Sequence, residues 1–253
     1  MAKPKATIRN WRDSESYLGH DSAIVWPLFL GLDADDPAPH RCLTHLNAFA
    51  GHSLQGGKST DYHAHENSEQ YYYIVSGEPE VRIEDERFPV REGSITYFPP
   101  GVKHQLVGDN CADWMQYLII TCPVERTAVD LEKSQPRVLN WRDAQPELGN
   151  HGKAVTWQLL ERVGVEQPAT DQPCLLAFHY LARQALSRGQ ASDMHQHDDK
   201  EQIYYVTEGE GVVVTEFEAH RVREGDAVHL PRSVPHMILN DACDDWLAYL
   251  VVS

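Results

Sequence analysis

The residues in this chain with the clearest chemistry are histidines in a fixed pattern. In "DYHAHENSEQYYYIVSG", Asp61 to Gly77, His63 and His65 stand two apart, and Glu69 and Gln70 follow side by side. His104 closes the later segment "YFPPGVKH". On extended backbone, residues two apart face the same way, so His63 and His65 present their imidazoles together. Converging neutral imidazoles are natural ligands for Fe, Mn, Ni, Zn or Cu. One His-x-His among fourteen histidines would mean little, because histidines also sit as satisfied polar groups in cores or at surfaces. Here the whole set recurs: "DMHQHDDKEQIYYVTEG" supplies His195, His197, Glu201 and Gln202, and His236 closes "HLPRSVPH". Neighbours differ between the copies (Tyr62 against Met194, Lys103 against Pro235) while the set does not. Alternation places Gln70 and Tyr72 on one face, Glu69 and Tyr71 on the other. Both rows are mixed, so periodicity leaves open whether the acid or the amide turns toward a metal.

The elements that must position this set are also written twice. The offset is 132 residues, and from Gly57 onward 26 of 65 aligned positions are identical. It holds without a gap through "VREGSITYFPPGVKH" and "VREGDAVHLPRSVPH", and at Cys111/Cys243, Trp114/Trp246 and Tyr117/Tyr249. With small slips it reaches back to "IRNWRDSESYLG" and "VLNWRDAQPELG". A period this long marks a duplicated domain, not a solenoid unit. The halves are residues 1–125 and 138–253, joined by a polar, proline-interrupted linker at 126–137. Within each half the texture is all-β: short runs such as "QYYYIV", "PEVRI" and "SITYF" are separated by Gly, Pro, Asp and Asn. "DLEKSQ" is too short for a helix of consequence. Evenly spaced short strands imply sheets that close on themselves.

These residues resemble the cupin superfamily. Its first signature, G-x5-H-x-H-x3-4-E-x6-G, is matched by Gly57, His63, His65 and Gly77, and again by Gly189, His195, His197 and Gly209. Its second, G-x5-P-x-G-x2-H-x3-N, is matched by Gly93, Pro99, Gly101 and His104, with Gly108 in place of Asn. In the second half Gly225, Pro231, His236 and Asn240 match, with Ser233 in place of Gly. The resemblance implies a bicupin: two tandem double-stranded β-helix barrels of jelly-roll type, each holding one divalent transition metal. The departure lies at the acid. The family spacing counted back from Gly77 and Gly209 reaches Gln70 and Gln202, one place after Glu69 and Glu201. The implied ligands are therefore His63, His65, Gln70 and His104 in one barrel, and His195, His197, Gln202 and His236 in the other. Some cupins do use three histidines and a glutamine.

An amide ligand is neutral and leaves the ion its full charge, which makes it a stronger Lewis acid toward a bound oxyanion or enol. A base must then come from elsewhere. Tyr72 and Tyr204, on the glutamine's face, and Asp61 and Asp193, on the first histidine's face, are the candidates. Each has a plainer role open to it, in packing or in orienting a ligand histidine. Tyr97 against His229 and Phe98 against Leu230 are expected to make the pockets differ. Arg91 and Arg223 are expected as turn or surface residues and not substrate anchors, and Trp114 and Trp246 in the core.

The composition is that of a globular protein, 42% hydrophobic and 24% charged. A net charge of −16 argues against nucleic acid or an anionic membrane as partner, since both reward Lys and Arg. The opening "MAKPKATIRNWRDSE" has basic residues with no apolar run behind them, so no leader is expected and a cytoplasmic location is. Five widely spaced cysteines without a C-x-x-C fit free thiols in a reducing compartment. The partner expected is a small-molecule substrate, and homodimerisation is expected only by analogy with other bicupins. The leading function is a metalloenzyme on a small oxygenated molecule, a non-haem dioxygenase narrowly ahead of a Lewis-acid isomerase, lyase or decarboxylase. A non-catalytic ligand-binding or storage cupin is the rival class.

Overall fold

The structure, a computed structural model, describes residues 5–125, 131–148, 151–216, 218–241 and 244–253. Residues 126–130 of the expected linker and Cys243 lie outside the described residues. The fold is almost entirely β. Each half pairs a large antiparallel sheet with a three-stranded one. In the first half the large sheet centres on Ser68–Ser76, flanked by Ser94–Phe98 and Met115–Pro123. The smaller sheet carries His104–Val107, Glu80–Ile83 and Glu86–Pro89. The second half repeats the plan around Gln202–Glu208. Each pair of sheets encloses its own apolar core, one containing Tyr72, Ile74, Phe98 and Tyr117, the other Tyr204, Val206, Leu230 and Tyr249. These are two cupin barrels in tandem.

The halves exchange their first strands. Thr7–Asn10 pairs antiparallel with Asp226–His229 of the second barrel, and Arg137–Asn140 with Ser94–Tyr97 of the first. This accounts for two repeated motifs at once. In "NWRD" the asparagine accepts from the arginine N–H two residues on, at 3.0 Å in Asn10 and 3.1 Å in Asn140, capping a short 3₁₀ turn. The arginine then bonds the glutamate of the facing "VREG", Arg12 to Glu224 and Arg142 to Glu92. The glycine of "VREG" is obligatory. Gly93 has φ +80°, and a Cβ there would lie 2.5 Å from the Trp141 ring.

Between the barrels lies a third core, with Tyr71, Tyr73, Ile203 and Tyr205 among its members. These belong to the outward rows of the two central strands, so Glu69 and Glu201 face outward too. Glu69 accepts backbone N–H bonds from Leu176 (2.8 Å), Ala177 (2.6 Å) and Phe178 (2.6 Å) of the other barrel, and one from the Tyr97 hydroxyl (2.6 Å). Glu201 does the same to Thr44 (2.9 Å), His45 (2.8 Å) and Leu46 (3.0 Å), with His229 Nε2 at 2.9 Å. The two loops correspond residue for residue at the 132-residue offset. Tyr97 and His229 thus differ at this interface and not in the pockets. Trp114 and Trp246, expected in the core, are 49% and 42% exposed.

The two carboxylates are not equivalent. Burial raises Glu69, and its hydrogen bonds, from Tyr97 and the three N–H groups, do not outweigh it. Burial also works to raise Glu201, but the hydrogen bond and charge of His229, with the Leu46 and Thr44 N–H groups, bring it down to about 2. A lowered acid adds stability that is complete above the ordinary glutamate range near pH 4.5 and is lost as pH falls through about 2. Glu201→Gln should therefore cost roughly 3 kcal/mol at pH 7, and more than Glu69→Gln. Urea denaturation of both variants checks the order; equal losses would remove the asymmetry.

Candidate metal centres

His63 is not in a regular strand. It forms a single antiparallel bridge to His104, with N–H···O distances of 3.2 and 2.8 Å, and His195 bridges His236 in the same way. The segment is nevertheless extended, so the two-residue spacing still turns His63 and His65 together. Gly101 then donates to the His65 carbonyl (2.9 Å), tying the second histidine to the loop ahead of the third. In the other barrel Ser233 makes this bond from φ +60°, its hydroxyl held by Asp198 at 2.8 Å. That explains how a serine occupies the signature's glycine position.

The three imidazoles of each barrel converge, with one nitrogen from each lying within 4.8 Å of the others. Four of the six Nδ1 atoms are bonded to backbone carbonyls: His63 to Asp61 (3.2 Å), His104 to Val102 (3.0 Å), His195 to Asp193 (2.9 Å) and His236 to Val234 (2.8 Å). Nδ1 is the donor in these bonds, so the Nε2 of each of these four rings presents a lone pair inward. Burial favours the neutral form of four of them, lowering His65 and pushing His104 down to about 3 and His236 and His197 to about 4. The amides complete the sets. Gln70 donates from Nε2 to Thr121 Oγ1 (2.9 Å) and turns Oε1 to within 3.1 Å of His104 Nε2. Gln202 donates to the Tyr180 hydroxyl and places Oε1 3.1 Å from His236 Nε2.

This arrangement fits a cation. In each barrel an amide oxygen and an imidazole lone pair face one another at hydrogen-bond distance with no proton to share. His63 Nε2 and His65 Nε2 lie 3.1 Å apart. His195 Nε2 and His197 Nε2 are buried without a hydrogen-bond partner. A divalent ion between such donors satisfies all of them.

The proposed acid–base residues fall in different places. Tyr72 and Tyr204 point into the barrels and pack edge-on behind His104 and His236, at 5.7 and 5.8 Å. Burial pushes both phenols well above the usual tyrosine range, so they stay protonated and act as hydroxyl donors, not bases. Asp61 lies 3.0 Å from His63 Nδ1 and 3.0 Å from His20 Nδ1. Asp193 is exposed, and among the described residues no ion pair joins it to a histidine. Sequence reasoning missed His20, whose ring stacks on His63 at 5.3 Å, and His151, 5.1 Å from His195. The signal was there: both follow the repeated Leu-Gly of the arms, as "LGH" and "LGNH", one residue out of step. It also missed His52, buried against Tyr117 at 5.2 Å where the other half has Gln184 bonded to the Tyr249 hydroxyl at 2.9 Å.

Burial, with the nearby His20, pushes His52 down to about 3. A histidine lowered this far adds stability present above its ordinary pKa near 6.5 and lost as pH falls through about 3. The metal-free protein should therefore lose stability steadily below pH 6.5, each such histidine adding a slope of up to ~1.4 kcal/mol per pH unit. His52→Gln, which copies the other barrel, should lessen that slope in thermal melts of chelated protein; an unchanged slope would show that His52 takes no part.

Comparison with known proteins agrees with this architecture. The cupin-domain family profile matches residues 52–115 and 182–252, together more than half of the chain. A curated relative, the uncharacterized protein MJ1618 of Methanocaldococcus jannaschii, is 35% identical over 60 residues, 24% of this chain and 48% of that protein. The match spans about half of that relative's length. Among solved structures, a Pseudomonas aeruginosa protein named for induction by glyoxylate superposes with TM-score 0.77 at 16% identity, covering 100% of this chain and 89% of the other. Ylba from E. coli gives 0.70 at 14%, covering 98% and 90%. A variant of Bacillus subtilis oxalate decarboxylase gives 0.69 at 14%, covering 100% and 78%. At these identities the likeness is one of fold. With the family profile matched in both halves, the chain belongs to the cupin family.

Proposed function

We propose that this protein is a divalent-metal-dependent bicupin enzyme acting on a small oxygenated organic molecule. The ligands are His63, His65, Gln70 and His104 in the first barrel, and His195, His197, Gln202 and His236 in the second. The observation that carries this reading is the pairing of acceptor with acceptor in both barrels, Gln70 Oε1 with His104 Nε2 and Gln202 Oε1 with His236 Nε2, each at 3.1 Å. An ion held there by neutral donors supplies Lewis acidity toward an enol, catechol-like or hydroxy-carbonyl group.

Around that position the chain's own residues divide the work. Asp61 accepts from His63 Nδ1 and keeps that imidazole oriented. His20, bonded through Nδ1 to the same carboxylate, is the residue placed to handle protons in the first barrel. Tyr72 supplies a protonated hydroxyl behind the ligand set. Glu69 and Glu201 are turned away and engaged elsewhere, so neither barrel keeps a carboxylate ligand to serve as base. Dioxygenation of a substrate that binds as its own enolate suits this set best. Decarboxylation or lyase chemistry is the second reading. It is favoured by the buried protonated phenols, which are donors for a developing carbanion, and the neighbours in fold include an oxalate decarboxylase.

Elemental analysis of protein purified without chelators should find one ion per barrel, with His63→Ala and His195→Ala each removing one. Asp61→Asn should weaken first-barrel metal binding by roughly 10–100-fold, while Asp193→Asn, whose carboxylate backs no imidazole, should leave both sites near wild type in titration calorimetry. With a small enol or catechol that is turned over, oxygen uptake should match product. Full-rate turnover without oxygen would move the assignment to the decarboxylase or lyase reading.

A further inference from the structure

One difference between the halves leaves a place open. In the second half Arg183 is buried on Tyr180–Leu186, cross-strand from Trp157. Its guanidinium carbon lies 4.0 Å from the centroid of the Trp141 ring and 5.1 Å from that of Trp157. Trp141 already carries another guanidinium, Arg142, at 4.5 Å. In the first half the matching residue is Gly51, cross-strand from Trp26. The tryptophan pairs are alike: Trp11 and Trp26 meet edge to face at 5.3 Å, as do Trp141 and Trp157. Arg12 stacks on Trp11 at 4.6 Å and bonds the Glu224 carbonyl as Arg142 bonds that of Glu92. So Arg12 fills the place of Arg142, and among the described residues nothing fills the place of Arg183.

What remains there is a narrow, half-open slot with a cavity volume of about 20 Å³, walled by Trp11, Trp26, Gly51, Val75, Gln116 and Tyr205. A Cβ on Gly51 would meet only Trp11 Cβ, at 3.7 Å, so the path a side chain would take is clear. Gly51 shares the outer face with Phe49 of the inter-barrel core, away from the metal centre.

We propose that this slot binds the guanidinium group of a small alkylguanidine. The protein's own Arg183 shows the pose, with a flat cation over indole rings. Guanidinium is weakly hydrated and stacks on aromatic faces where an ammonium does so less well. Glu208, 3.6 Å from Arg183, is replaced by Ser76, but an ion pair to a carboxylate 59% exposed contributes little. In return Gln116, where the second half has Ala248, brings an amide oxygen able to accept from guanidinium N–H. A net charge of −16 draws cations to the surface.

The test is titration of the metal-loaded full chain with butylguanidinium, followed by two-dimensional NMR of its six indole N–H signals. Saturable shifts are expected at Trp11 and Trp26, identified from Trp11→Phe and Trp26→Phe. Butylurea, the same shape without charge, should bind at least tenfold more weakly. Gly51→Arg, which installs the plug found in the other half, should abolish the response with the rest of the spectrum intact. Gln116→Ala should weaken binding at least threefold, and keeps the idea testable if Gly51→Arg fails to fold. Equal response to butylurea, or an unchanged response in folded Gly51→Arg or in Gln116→Ala, would overturn the assignment. A single-arginine tetrapeptide binding more than tenfold tighter than butylguanidinium would overturn the small-molecule source.

Discussion

Two buried carboxylates set the geometry on which both metal centres depend. Glu69 and Glu201 each leave their own barrel and take three successive backbone N–H groups on the other. An ionised carboxylate has lone pairs for such a cradle, and a buried one cannot go without it. Side chains on a strand alternate strictly, so sending the glutamate out sends the next residue in. Gln70 and Gln202 therefore face the histidines because their neighbours are fastened across the interface. The adjacent acid and amide of "EQ" are one device with two faces. A register slip of one residue would cost the inter-barrel bond and the metal donor together.

That coupling explains why the barrels are joined so thoroughly. Each also receives the other's first strand, locked by the asparagine cap of "NWRD" and by the arginine that reaches the "VREG" turn. The exchanged strands lie beside Ser94–Phe98 and Asp226–Leu230, which hold Tyr97 and His229, the side chains that complete the carboxylate cradles. Strand exchange and carboxylate docking thus support the same strands from opposite sides. The unlike partners give the cradles unlike electrostatics. A phenol leaves Glu69 raised by burial, whereas an imidazole brings Glu201 down to about 2.

Much of this was legible in the sequence because the signal was carried by side-chain identity. The repeat, the His-x-His pairs and the distant third histidine all name groups that converge in the barrels. Signature spacing favoured the amide where alternation alone could not choose, and both amides do turn toward the histidines. The cradles were illegible for a definite reason. Thr44-His45-Leu46 and Leu176-Ala177-Phe178 match at no aligned position, because backbone N–H groups do the recognising and any side chain will serve. Tyr97 was grouped with the pocket beside Phe98, although alternation puts adjacent residues on opposite faces. Phe98 does stack on His104 at 4.0 Å, while Tyr97 turns to Glu69. Trp114 and Trp246 repeat without being buried, so recurrence in both halves did not by itself mark a core residue.

The replacements between the halves show which feature is held constant. Where Asn240 bonds the Leu186 and Asp245 carbonyls, the first half has Gly108, and a Cβ there would run into the Met115 side chain at 2.4 Å. Met115 stands where the second half has Leu247, so the longer side chain takes up the room the asparagine gave back. Beneath the ligand amides the exchange is freer still. Thr121 holds Gln70, and Tyr180, which aligns with Ala48, holds Gln202 from a different strand. Different supports deliver the same result, an amide oxygen 3.1 Å from an imidazole nitrogen in both barrels. The invariant is thus the position of the donor atoms, not the residues behind them. Divergence between the barrels must then act through what surrounds the donors, and one such difference is the His20–Asp61–His63 chain, which has no ion-paired counterpart among the described residues of the second barrel.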